Sequence, residues 1–292
     1  MRQALGSNRA RDFGRKGTKE NMNLQYHQRA LALAGEPYIV SASAVAALDE
    51  LEARGNIDLL PASLREWYSL DSAVRILQRH SDDIPYAVAD LGRSHGPYGE
   101  SVGDDDAPHP IDEQNLLPFM IENQGVCYWA VRLDGSPDPE VLITYEDFES
   151  WFPCSASFSE FAYSWVWDRP GGYSPREESR HASSQGQRLA PTDLTVLAHL
   201  FEPRPETLFG VTEVTGRTHR FAGADDKQRI RLETGMSDGL WGCELWAASD
   251  ALLADLITTL HSQTSLTKNL RPIAKESAAS RVIAAVLPDA SG

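Results

Sequence analysis

Apolar positions in the first part of the chain repeat at helical spacing. From Ser41 to Arg54, Val45, Leu48 and Leu51 fall on one side, Ser41 or Ser43 can cap the start, and Gly55 ends the run. In Leu60–Tyr68, Pro61 suits a first helical turn, and Ser63 with Glu66 has capping-box spacing. A further short helix is expected from Asp71 to His80, with Val74 and Leu77 inward. Ile84 to Leu91 reads as a strand or an extended lead-in.

The period then changes. Gly92 to Glu113 is rich in Gly, Pro and Asp and reads as loop. Strands are predicted at Leu116–Glu122, Val126–Leu133 and Val141–Tyr145, and the second, almost wholly apolar, should be buried on both faces. Their connections are short, so antiparallel pairing is the economical topology. From Ser157 a helix carries Phe158, Phe161 and Trp165 at i, i+3 and i+7, a stripe for core packing along with Trp129 and Trp151.

Residues 169–190 read as a linker: Pro170-Gly171-Gly172, then Ser, Arg and Glu without periodicity. Beyond it, Thr207–Thr215 and Thr218–Phe221 form an expected hairpin around Gly216-Arg217, with further strands at Arg229–Thr234 and Leu240–Ala247. Ser249 caps a helix bearing Leu253, Leu256, Ile257 and Leu260, and Val282, Ile283, Val286 and Leu287 make a last amphipathic stretch. The fold class is therefore α+β. The expected organisation is a basic, disordered tail (1–22), a first domain (23–168), the linker (169–190) and an α+β C-terminal portion of antiparallel strands plus helix (191–292).

Charge changes the picture most. The chain of 292 residues carries a net charge of -15. Residues 36–170 hold 25 acidic and 7 basic residues and no lysine, whereas residues 171–292 hold 15 and 13. Such a field repels nucleic acid and anionic membranes and attracts basic partners. No apolar run approaches the ~18 residues that span a bilayer, and no secretory leader is visible, so a cytoplasmic protein is expected. The basic tail lacks aromatic interleaving and gives no nucleic-acid signal.

No motif carries catalysis: Gly-x-Gly-x-x-Gly, P-loop, His-Glu-x-x-His and Gly-x-Ser-x-Gly are all missing. Asp104-Asp105-Asp106 opens a carboxylate-rich loop ending at Glu113, but its spacing fails the EF-hand pattern, and a solvated loop is the better reading. Glu146, Asp147 and Glu149 resemble acid–base pairs without a pocket signature. Cys127, Cys154 and Cys243 fit reduced thiols rather than a disulfide frame or a zinc site, and Cys127 should be inert packing. Neither enzyme activity nor any cofactor or metal is expected.

The order of elements has a precedent. Leu60-Pro61 with Trp67-Tyr68, Leu117-Pro118-Phe119, Gly125, Cys127-Tyr128-Trp129, the Asp134–Pro139 connector, Trp151 and Phe158-Ser159-Glu160-Phe161 together resemble the SUKH superfamily, over roughly residues 36–170. The resemblance implies a curved, mostly antiparallel sheet flanked by helices, without catalysis. It also implies an immunity protein that neutralises a cognate toxin domain, such as a basic nuclease. A regulatory scaffold like the fungal cell-wall-assembly regulators is the alternative. The expected contact residues are Asp104, Asp105, Asp106, Asp138, Glu146, Asp147 and Glu149, which would steer the partner and pair with its Arg or Lys side chains. The long C-terminal half departs from the family pattern.

Overall fold

The computed structural model of the chain describes residues 24–53, 60–79, 81–91, 115–145, 150–168, 180–185, 190, 192–211, 214–223, 225–235 and 242–287. The expected tail (1–22) and the Gly92–Glu113 loop lie outside these residues. The protein is α+β, with two antiparallel sheets.

The first half opens with α1 (Gln28–Ala34), α2 (Ala42–Ala53), α3 (Ala62–Tyr68) and α4 (Ala73–Arg79). Helix α1 has no capping side chain of its own. Instead Glu66 of α3 accepts the backbone N–H groups of Gln25, Tyr26 and His27 at 2.8, 2.9 and 2.9 Å, placing a carboxylate at the positive end of the helix. Gly35, in the left-handed region at φ 64°, terminates it. The segment Ile84–Leu91 resolves into a two-residue strand β1 (Ile84–Pro85) and a 3-10 turn, because Pro85 leaves little ladder to extend.

Strands β2 (Leu116–Ile121), β3 (Cys127–Arg132), β4 (Val141–Tyr145) and β5 (Phe152–Ser155) follow, and the sheet order is β1-β2-β3-β4-β5, antiparallel throughout. The three expected strands pair consecutively, as their short connections require. Pro118 sits at a register shift, where the lost donor costs least. Helix α5 (Phe158–Asp168) packs Phe158 and Phe161 edge-on against Phe119 at 5.1 and 5.3 Å, burying all three rings. Burial of each such ring contributes about 1.5–3 kcal/mol.

The second half contains β6 (His181–Gln185), α6 (Asp193–Leu200), β7 (Glu202–Val211), β8 (Val214–Gly223), β9 (Gln228–Thr234), β10 (Gly242–Ala247), α7 (Asp250–Gln263), β11 (Arg271–Pro272) and α8 (Ala278–Val286). Its sheet runs β11-β6-β10-β9-β8-β7. Ile230, Leu232, Cys243 and Leu245 face α7 and α8 in a second core. Ser249 caps α7 as expected, accepting the Leu252 N–H at 3.2 Å.

Two expectations are corrected here. The linker over 169–190 holds β6, an interior strand paired with β10 on one side and β11 on the other. His-Ala-Ser-Ser-Gln has no strand pattern. Its neighbours impose the conformation, with Ala182 and Ser184 buried and the Ser184 hydroxyl donating to the Leu266 carbonyl at 2.7 Å. The hairpin also does not turn at Gly216-Arg217: Val211 pairs with Val214, and Gly216 lies within β8 opposite Phe209. A Cβ on Gly216 would stand 2.2 Å from the Phe209 ring, so the glycine serves close packing, not the turn.

Candidate functional site

Of the seven expected contact residues, Asp104, Asp105, Asp106, Glu146, Asp147 and Glu149 lie outside the described residues. Asp138 is described, and its carboxylate is engaged within the fold. It accepts the Ser159 N–H at 3.0 Å and the Ser159 hydroxyl at 2.6 Å, at the first turn of α5. Asp138 therefore helps position the start of this helix while remaining partly exposed. Other acids of this half hold its arginines: Glu36 pairs with Arg75 and Arg79, and Glu52 and Asp49 with Arg65. Asp71, Asp82 and Asp134 are exposed.

Trp129, Phe158 and Phe161 are buried as expected, and Trp165 and Trp151 pack partly buried against them and the outer sheet face. All three cysteines are free and buried, and burial pushes the Cys127 and Cys154 thiols up to about 12. They are protonated packing groups, as the apolar setting of Cys127 suggested. Among the described residues, no His, Cys, Asp and Glu cluster could hold a metal ion, and no helix is long and apolar enough to cross a membrane.

Among the described residues, the densest charge cluster is one that sequence reasoning missed. It lies where the end of α5 meets the outer face of the second sheet. Cross-strand registry sets Arg204 beside Arg220, Arg220 beside Arg231, and Arg231 beside Glu244 in one row. Like charges in adjacent positions repel unless each has a counter-charge. Asp168 supplies one for Arg220, accepting from Nε at 2.6 Å and Nη2 at 2.7 Å. Asp226 supplies one for Arg204 at 3.0 Å and also accepts the Trp167 indole N–H at 3.2 Å. Burial pushes the Asp226 carboxyl up, but Arg204 and Trp167 outweigh it and hold the group below the usual range. Asp225 and Asp226 both have left-handed backbone (φ 57° and 61°), which Asp tolerates better than most residues and which aims Asp226 into the seam.

Arg229 occupies the centre. Its guanidinium carbon lies 5.4 Å from the Trp167 ring centroid and 4.9 Å from that of Trp246, and it donates to the carbonyls of Asp226 and Trp167. Desolvation lowers its pKa from the usual arginine value. Beside it, Glu244 meets Arg231 at 3.3 Å and His181 at 3.4 Å. Burial raises the Glu244 carboxyl, but His181 and Arg231 prevail and bring it to about 2. Trp167, Asp168, His181, Arg229, Arg231, Glu244 and Trp246 line one small pocket. Its carboxylates and guanidiniums are mutually neutralised, and the arrangement latches the two halves together. A signal was present in Arg229-Ile230-Arg231-Leu232-Glu233, whose alternation puts every charge on one face.

No protein-family model, curated protein or solved structure matches the chain.

Proposed function

We propose that the protein acts by binding, as an immunity protein that neutralises a cognate toxin domain of basic surface through the acidic surface of residues 36–170. The observation that carries this reading is the placement of charge. Residues 36–170 hold 25 acidic against 7 basic residues. Arg65, Arg75 and Arg79 are already held by carboxylates of the same half. The excess is therefore negative, and exposed carboxylates such as Asp71, Asp82 and Asp134 carry part of it. Such a surface speeds encounter with a cationic partner and mimics the phosphates a nuclease would bind. The SUKH-like order of elements over the same residues supports the same role.

The test is to titrate the full chain with the toxin domain encoded beside its gene, at low and at physiological ionic strength. Inhibition of the toxin and association that slows with salt are expected. Replacing Asp104, Asp105, Asp106, Glu146, Asp147 and Glu149 by their amides should slow association about ten-fold or more. Absence of a complex, or association indifferent to salt and to these changes, would remove the proposal.

A further inference from the structure

The far end of the second sheet carries a relay of side chains unrelated to the acidic surface. His219 of β8 is 9% exposed, and its Nδ1 lies 2.5 Å from Oε1 of Glu206. Its Nε2 lies 3.1 Å from Oγ1 of Thr234, at the end of β9. The second Glu206 oxygen accepts from Arg217 at 2.6 Å, which fixes the carboxylate. With Glu206 ionised, Nδ1 is the protonated ring nitrogen and donates to it. In the neutral ring, Nε2 is then the acceptor for the Thr234 hydroxyl. The only other described acceptor for that hydroxyl is the Arg217 carbonyl, farther away at 3.4 Å.

This is the order nucleophile, base, orienting carboxylate that activates a hydroxyl for attack on a carbonyl. Registry explains how it arises. Thr234 stands opposite Arg217 and His219 opposite Leu232, so the histidine and threonine share a face one diagonal apart. Glu206 reaches the same point from the register shift in β7 between Arg204 and Thr207. Gly235, directly after Thr234, has left-handed backbone at φ 82°. Thr234 is half-exposed, so a reagent can reach it, while the imidazole is held in the fold.

We propose that Thr234 is an activated acceptor hydroxyl that takes an acyl group from an activated ester or thioester. Oγ1 attacks the carbonyl carbon as its proton passes to Nε2 of His219. The bond to the alkoxide or thiolate leaving group then breaks, and that group departs with the proton from Nε2. The product is an acyl ester on Thr234 and one equivalent of alcohol or thiol. Thr234 and His219 take part directly, and Glu206 is a positioning residue. The site lies in the other half of the chain from the acidic surface, so it goes beyond the binding role and survives if that role fails.

The full chain is incubated with p-nitrophenyl acetate, nitrophenolate release is followed, and the protein is mapped by mass spectrometry. A stoichiometric burst is expected, with the acetyl group on Thr234. Thr234→Ser should retain the burst and Thr234→Val abolish it. His219→Gln should slow it about 100-fold or more. Glu206→Gln, which can still accept from Nδ1, should slow it less than Glu206→Ala, a graded effect that simple loss of structure does not give. Circular dichroism shows whether each variant is folded, and wild-type mapping stands without any variant. Acetyl groups found only on lysines or the N-terminus, or a burst unchanged in folded His219→Gln, would overturn the assignment.

Discussion

Arg220 and Asp168, 52 positions apart in sequence, meet in a two-point ion pair that closes the seam between the sheets. The Arg220 side chain is 3% exposed and that of Asp168 16%, so neither charge has ready access to water. A pair of this kind adds little over apolar packing while intact, but breaking it leaves a charge stranded. Arg220→Ala should therefore cost about 3–5 kcal/mol in urea unfolding, and the Asp168→Ala change should cost much less on an Arg220→Ala background than alone.

His27 predicts a pH dependence. Its ring packs between Trp67 and Phe158, with Nε2 2.8 Å from the Ser63 carbonyl. Burial outweighs that carbonyl, Glu66 and Asp138 and lowers the imidazole pKa. The unfolded chain thus accepts a proton that the folded protein refuses. Stability from this site is full above about pH 6.5 and falls as the pH drops below it. Melting temperatures between neutral and mildly acidic pH should decline in the wild type, and His27→Gln should flatten that part of the profile.

Glu66 predicts a local effect. Its carboxylate receives three backbone N–H groups ahead of α1. Glu66→Ala should cost about 1–2 kcal/mol, and hydrogen exchange should show the amides of Tyr26 and His27 losing protection before those of β3.

Gly216 predicts a steric one. Gly216→Ala drives a methyl group into the Phe209 ring and should destabilise the protein by about 1–3 kcal/mol. Adding Phe209→Ala should recover part of that loss, which thermal unfolding of the double variant measures.

Elements whose own residues carry the pattern were legible in the sequence. The strands around Trp129 and Ile143 and the helix beginning at Phe158 alternate or repeat as their burial demands. Strand β6 was not legible, because Ala182 and Ser184 are buried only through what β10 and β11 bring to them. Strand β7 was legible only from Thr207 onward, because its first part contains Pro203 and Pro205, which an edge position permits. Asp138 was identified as acidic and near the sheet, but its partner Ser159 is reached only through the fold. The relay of Glu206, His219 and Thr234 depends on a register shift that spacing alone does not reveal.

The position of β6 has a consequence for synthesis of the chain. Its strand partners, Gly242–Ala247 and Arg271–Pro272, are translated long after it. Once His181–Gln185 has left the ribosome, it has neither of these strand partners until they follow. The first half can fold behind it, since its strands pair with close neighbours in sequence. The second half must wait for nearly its whole length, so a stalled or truncated product would present one finished core trailing an unsatisfied strand.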